Sequence, residues 1–83
     1  MEKRVALIGI IVENPESVEA LNRILHEFRI YIIGRMGIPY RERDISVISV
    51  TLDAPTDVIS SLSGKIGMLN GVTSQVLMAK LNG

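Results

Sequence analysis

The densest group of side chains that could do chemistry lies between Gly34 and Asp53. It consists of Arg35, Tyr40, Arg41, Glu42 and Arg43. Arginine forks match the geometry of carboxylate and phosphate groups, so this cluster could bind a small anion, a carboxylate ligand or an acidic face of a partner protein. Such charges are also typical of a solvated hairpin turn that keeps a sheet edge from aggregating. The residue types alone leave both interpretations open.

A second candidate binding element is the turn Glu13-Asn14-Pro15-Glu16. Backbone amides at the start of a helix form a binding site for anionic groups. The same residues would equally make a plain helix cap, because Asn14 can cap and Pro15 suits the first helical position. Together the two elements predict a ligand site formed by Glu13, Asn14, Arg35, Tyr40, Arg41 and Arg43.

The sequence indicates no catalytic residue, no metal site and no cofactor. His26 is the only histidine and there is no cysteine. A lone imidazole does not make a typical zinc or nickel site within one chain, and the serines lie in no nucleophile-elbow sequence. Ser63-Gly64-Lys65 lacks the upstream glycine and downstream hydroxyl of a phosphate loop. It is better interpreted as the last turn of a helix.

Size and charge restrict the classes of partner. The chain has 83 residues, with nine basic and nine acidic side chains. We therefore expect a single domain over residues 1–83, with no net field that would draw it to nucleic acid or to a membrane. The apolar run Val5–Val12 is shorter than the roughly 20 residues of a membrane span. The absence of cysteine fits a reducing compartment, and we expect the protein in the cytoplasm.

Hydrophobic patterning predicts four strands and two helices. The run Val5–Val12 is apolar on both faces, which is typical of a strand buried on both sides. Other segments alternate with the period of a strand or repeat with that of a helix. The predicted elements are a helix over Pro15–Phe28, a strand over Ile30–Ile33 broken by Gly34, Gly37 and Pro39, a strand over Ile45–Leu52, a helix from about Pro55 to Leu69 capped by Ala54 or Thr56, a strand over Val72–Ala79 and a tail over Lys80–Gly83.

This order of elements is the βαββαβ pattern of the ferredoxin-like α+β sandwich. Right-handed crossovers then place both helices on one face of a four-stranded antiparallel sheet, with the first and third strands in its centre. Two helices cover only one sheet face, yet Val5–Val12 is apolar on both. One face would be bare in a monomer, and such patches usually mark an interface. We therefore expect a homo-oligomer, either a dimer or a tetramer.

Three stretches carry a resemblance to a known family: residues 34–43 (GRMGIPYRER), 45–55 (ISVISVTLDAP) and 62–69 (LSGKIGML). The chain resembles the small stand-alone proteins known as iron-only hydrogenase system regulators, most specifically in the first stretch. The resemblance implies an ACT-like form of the ferredoxin-like fold, similar to the C-terminal domain of nickel-responsive repressors. It also implies a role in regulating expression of the hydrogenase system.

The chain departs from the relatives of that family at their ligand sites. The nickel repressors carry metal ligands at positions that match Ser49, Thr51 and Asp57, none of which is a good nickel ligand, so nickel sensing is not expected. We also expect no counterpart of their DNA-binding domain within residues 1–83. ACT domains typically bind an amino acid at the turn after the first strand, at a subunit interface. That turn here is Glu13-Asn14-Pro15-Glu16, without the usual glycine.

The function expected from residues and resemblance together is a non-enzymatic, oligomeric ACT-like regulatory domain. It would act as a transcriptional regulator of a hydrogenase system, through a small anionic or amino-acid-like ligand or a protein partner bound at subunit interfaces, without contacting DNA itself. The alternative is a purely structural protein–protein interaction module without a small ligand. An enzyme with a site at an oligomer interface ranks third.

Overall fold

The computed structural model describes residues 2–80. Its regular elements follow the predicted order of strands and helices. They are strands β1 (Lys3–Val12), β2 (Ile32–Tyr40), β3 (Ile45–Pro55) and β4 (Val72–Met78), helices α1 (Val18–Glu27) and α2 (Thr56–Gly67), and short 3₁₀ turns at Pro15–Ser17, Arg29–Tyr31 and Arg41–Arg43. Of the predicted C-terminal tail, residues 81–83 lie outside the described residues.

The strands form one four-stranded sheet in the order β2-β3-β1-β4. All three pairings are antiparallel, so the first and third strands occupy the centre, as the βαββαβ order predicts. The longest pairing joins β1 to β3, from Lys3 opposite Pro55 to Val12 opposite Ser46. This central pair positions every other element.

Alternation along β1 divides the sheet into a covered and an open face. Ala6, Ile8, Ile10 and Val12 are buried under the helices. The intervening Leu7 and Ile11 remain 39% and 41% exposed. Because successive strand residues point to opposite faces, an apolar strand covered on one side must leave the other side bare. In the single chain β1 is therefore buried on one face and bare on the other, as the sequence predicts for a monomer.

The two helices supply the other half of the core. Helix α1 buries Leu21 and Leu25, one turn apart, while α2 buries Ile59, Leu62 and Ile66. These spacings place each set on a single helical stripe. Val50, Leu52 and Ala54 of β3 complete the same hydrophobic cluster without measurable exposure. One continuous core thus lies between the helices and the sheet.

Strand β2 differs most from the prediction. It begins at Ile32 rather than Ile30, and it continues through Gly34, Gly37 and Pro39 to Tyr40. The predicted break at these residues is wrong because β2 is an edge strand that pairs only with β3. Proline, which has no N–H, is tolerated on such an edge where no second neighbour needs the donor.

A β-bulge interrupts the pairing of β2 near its start. Ile32 lies opposite Leu52 and Gly34 lies opposite Thr51, so that Ile33 is an extra residue without its own partner. Beyond the bulge, Arg35 lies opposite the buried Val50. Cross-strand partners share a face, so the bulge places Arg35 on the helix side of the sheet.

Other boundaries shift by a few residues. The first helical stretch starts as the 3₁₀ turn Pro15–Ser17, and α1 ends at Glu27. Helix α2 begins at Thr56 with Pro55, rather than Ala54 or Thr56, in the capping position. Pro55 has no polar side chain with which to cap, and the Asp57 carboxylate accepts a hydrogen bond from the Val58 amide in the first turn.

The turn before β4 is tied to the turn after β1. The Glu13 amide donates to the carbonyl of Gly71 at 2.7 Å, and the Ser17 hydroxyl donates to the carbonyl of Asn70 at 2.6 Å. Gly71 has φ = +70°, in the left-handed region that favours glycine. A Cβ added at Gly71 would lie 2.6 Å from Cβ of Asn14. This close approach requires glycine.

We expect Gly71→Ala to lower the free energy of unfolding by about 2 kcal/mol or more, through the left-handed backbone and the collision with Asn14. The matched control is Gly64→Ala, in the exposed part of α2, where an added Cβ meets nothing within 4 Å. That change should raise stability by about 0.5–1 kcal/mol because alanine loses less backbone entropy in a helix. Urea unfolding at one protein concentration measures both, and equal effects of the two changes would contradict the account of Gly71.

Candidate functional site

A pocket of about 130 Å³ lies at the end of the sheet where β2 is joined to β3. We call it the end pocket. Its walls come from the end of β1, the start of the first helical stretch and the β2–β3 connection. The lining residues are Val12, Pro15, Val18, Pro39, Tyr40, Arg41, Asp44, Ile45 and Ser46.

The connection that forms one wall is a single tight turn. Tyr40 ends β2, and the 3₁₀ turn Arg41–Arg43 follows at once. Asp44 then adopts φ = 55°, a left-handed conformation that aspartate tolerates better than most residues. Its amide donates to the carbonyl of Arg41 at 3.2 Å, and β3 begins at the next residue. The left-handed backbone of Asp44 and this hydrogen bond fix the position of Arg41.

The end pocket offers opposite charges on an apolar base. Arg41 and Asp44 both line it, while Val12, Pro15 and Val18 supply hydrocarbon surface. A small ligand with a carboxylate and an ammonium group would find a charge-assisted partner for each. Sequence reasoning missed Asp44, although an aspartate between a charged turn and an alternating strand is a signal for a left-handed residue.

The turn after β1 contributes to the end pocket differently from the expected amide site. The amides of Glu16 and Ser17 donate to the side chain and the carbonyl of Asn14, at 3.0 Å each. The Glu13 amide is bonded to Gly71, and Pro15 has no N–H. The turn therefore presents the ring of Pro15 to the pocket, whereas Glu13 and Asn14 lie beside the Asn70–Gly71 turn.

The predicted site residues thus fall into separate places. The end pocket brings together Tyr40 and Arg41 with Pro15 of the first turn. Arg43 and Glu13 do not line it. Arg35 lies on the helix side of β2, where its Nη2 donates to Oδ1 of Asn22 at 3.1 Å. The Tyr40 hydroxyl donates a hydrogen bond of 3.3 Å to Oε2 of Glu42 within the same turn.

Beside the end pocket lies the uncovered side of the sheet, which we call the open sheet face. In one row across it, Ile38 lies opposite Val47 and Val47 opposite Ile11. In another row, Leu7 lies between Thr51 and Leu77. Its exposed large apolar residues are Val5, Leu7, Ile11, Met36, Ile38, Tyr40, Val47 and Leu77.

The positions that the resemblance matches to nickel ligands lie on different sides of the sheet. Ser49 and Thr51 alternate onto the open sheet face, opposite Gly9 and Leu7. Asp57 lies in the first turn of α2, in the helix layer on the other side of the sheet. Across residues 2–80, no group of three or more histidine, cysteine, aspartate or glutamate side chains is arranged to hold a metal ion.

A four-stranded antiparallel sheet in the order β2-β3-β1-β4, with both helices on one side, defines a ferredoxin-like fold of the ACT-like kind. The same fold occurs in a formyltetrahydrofolate deformylase from Pseudomonas putida KT2440, which is 14% identical, with a TM-score of 0.63 over 87% of this chain and 28% of that one. At that identity the likeness concerns the fold alone.

The chain belongs to the family described as "TM1266-like: Iron-only hydrogenase system regulator, putative", which matches residues 4–76. The uncharacterized protein TM1266 from Thermotoga maritima is 34% identical, with a TM-score of 0.91 over 95% of this chain and all of that one. The resemblance drawn from residues 34–43, 45–55 and 62–69 is thereby confirmed. No curated protein matches the chain.

No helix within residues 2–80 has the length and apolar character needed to cross a lipid bilayer.

The hydrogen bond from the Glu16 amide to the Asn14 side chain predicts a stability role for Asn14. We expect Asn14→Ala to lower the free energy of unfolding by about 1 kcal/mol, because the start of the helical stretch loses its cap. Asn14→Asp keeps an acceptor of the same shape and should remain within about 0.3 kcal/mol of wild type. Urea unfolding compares the three proteins, and an Asn14→Ala variant as stable as wild type would contradict a capping role.

Proposed function

We propose that this protein is a non-enzymatic regulatory domain of a hydrogenase system, which self-associates through its open sheet face and binds a small ligand in the end pocket. The ligand is amino-acid-like or a small anion, and it binds beside the subunit interface. The protein works in the cytoplasm and influences transcription through a protein partner, without contacting nucleic acid. The description of its family supports the regulatory part of this proposal.

The end pocket and the open sheet face share residues, and this observation carries the proposal. Tyr40 and Ile45 form the last pair of the β2–β3 ladder. Both line the end pocket. The strand alternation that directs Ile38 and Val47 to the open sheet face directs Tyr40 and Ile45 there too. A subunit docked on that face would therefore touch residues that also line the pocket.

The chemistry of the open sheet face favours a second copy of the same chain as its occupant. Its central positions are aliphatic or uncharged, and Asp53, an acid on this face, lies opposite Val5 towards one end of β1. Two copies can therefore meet face to face without like charges in the middle of the contact. Exposed apolar patches of this kind usually mark an interface in small proteins. Burial of the same patch on both copies gives a closed, two-fold contact.

A ligand at such a boundary can control assembly. It shifts the equilibrium between assemblies only by the difference between its affinities for them. By linkage, the ligand stabilises the assembly that binds it more tightly, and it does so by the free energy that corresponds to this difference in affinity. Tyr40 lies at the position where that difference would arise, because a docked subunit and a bound ligand would both be adjacent to it.

We expect Ile11→Glu to weaken self-association more than tenfold, because burying an unpaired charge in the interface costs at least about 2 kcal/mol. The control is Ile30→Glu, which lies in the Arg29–Tyr31 turn and is 80% exposed, against 41% for Ile11. Sedimentation velocity over a range of concentrations measures the association. Leu77→Glu, on an edge strand of the same face, repeats the test if Ile11→Glu impairs folding.

Association should survive Ile30→Glu. If Ile30→Glu dissociates the protein and neither variant of the open sheet face does, the interface lies elsewhere. A wild-type protein that stays monomeric and folded at every concentration would contradict self-association altogether.

We expect Arg41→Gln to weaken ligand binding about tenfold or more, because a charge-assisted hydrogen bond contributes about 1.5–3 kcal/mol. The control is Arg43→Gln, which removes the same charge from the same turn without touching the end pocket and should keep the affinity within about twofold. The probes are the standard amino acids and short dicarboxylic acids. Each is titrated into the protein and followed by changes in its amide NMR spectrum.

Native mass spectrometry of the gently desalted wild-type protein complements these titrations. An oligomer that carries an extra non-covalent mass would supply the ligand's molecular weight. An oligomer with no added mass and no response to any probe would favour the interaction module without a ligand. Equal losses in Arg41→Gln and Arg43→Gln would show nonspecific charge attraction in place of a pocket.

A further inference from the structure

A second depression, of about 290 Å³, lies between α1 and the start of β2. We call it the edge depression. Its lining is rich in nitrogen donors and contains no carboxylate. The lining residues are Asn22, Leu25, His26, Arg29, Ile32 and Arg35.

Three elements bring these groups together. Asn22 and His26 lie on successive turns of α1, and Arg29 follows in the next 3₁₀ turn. Residues on successive turns of a helix share a face. Arg35 joins them from the sheet because of the bulge at Ile33. Without that extra residue, strict alternation from Ile32 would direct Arg35 to the open sheet face.

Hydrogen bonds orient both arginines and leave most of their donors for another partner. Nη2 of Arg35 donates to the Asn22 side chain at 3.1 Å, and Nη1 of Arg29 donates to the carbonyl of His26 at 3.0 Å. Each guanidinium has five N–H donors in a fixed planar fork. No acidic side chain within residues 2–80 forms an ion pair with either arginine.

Two other cations of the same region do form ion pairs. Arg23 of α1 pairs with Glu19 at 3.6 Å, and Lys65 of α2 pairs with Glu27 at 3.3 Å. Cations near the end of α1 would complement the helix dipole. That role accounts for His26 and Arg29, but it does not require Arg35 to be turned inward from a neighbouring strand.

We infer that the edge depression is a binding site for the phosphoryl group of a small metabolite. Two guanidinium forks and an imidazole match a dianion with several terminal oxygens better than a single carboxylate. Leu25 and Ile32 form an apolar floor on which an organic moiety can rest.

The edge depression shares no residue with the end pocket. It is reached from the start of β2, whereas the end pocket lies at the other end of that strand. Binding in the edge depression therefore does not depend on the function proposed above, and variants of either site test one without the other.

The test is a titration of the ¹⁵N-labelled full-length protein with inorganic phosphate at constant ionic strength, followed by NMR. We expect saturable shifts in the side-chain Nε–H signals of Arg29 and Arg35 and in backbone amides around the edge depression. Arg29→Gln and Arg35→Gln should each weaken phosphate binding about tenfold, the loss of one charge-assisted hydrogen bond. Arg23→Gln, an equal loss of charge on the same helix, should leave it within about twofold. Acetate should bind at least tenfold more weakly than phosphate.

Three results would overturn the inference. The first is a phosphate response no larger than that of chloride. The second is an equal loss of affinity in Arg23→Gln, which would reveal general charge attraction. The third is acetate binding as tight as phosphate binding, which would exclude phosphoryl selectivity. The dispersion of each variant's spectrum reports its folding, and the two independent arginine variants keep the test decisive if one of them unfolds.

Discussion

The structure depends on one-sided burial of an apolar sheet. Strand β1 is paired with β3 over its whole length, and the two helices cover only the side that presents Ile8, Ile10, Val50 and Leu52. A chain of this size buries a smaller share of its unfolded surface than a larger domain does, so leaving Leu7 and Ile11 in water is costly. The core and the open sheet face both follow from this constraint, and with them the proposed self-association.

Most of the fold could be predicted because its signals are local. Alternation in β1 and β3 and the stripes of α1 and α2 place nearly every buried residue correctly, and the element order then leaves few topologies. The extent of β2 could not be predicted in this way. Pro39 has no N–H, so whether it ends a strand depends on whether a second neighbouring strand would need a donor at that position, and that is decided by the sheet order.

The candidate site was only partly predictable for the same reason. The proximity of Tyr40 and Arg41 to Pro15 follows from the topology, since a strand end and the next turn meet at one edge of the sheet. Arg35 belongs to the same charged stretch of sequence, yet the bulge at Ile33 directs it to α1. No residue type marks that bulge in advance. A charge cluster in sequence is therefore divided between two separate places in the structure.

The two walls of the end pocket differ in how firmly they are held. Pro15 belongs to a turn anchored to the Asn70–Gly71 turn by backbone and side-chain hydrogen bonds and by the close approach of Gly71 to Asn14. The facing wall, from Arg41 to Asp44, is an exposed turn closed by one long backbone hydrogen bond. The Pro15 wall is therefore held by more contacts than the wall from Arg41 to Asp44, so that a change in the width of the end pocket would come from the β2–β3 turn.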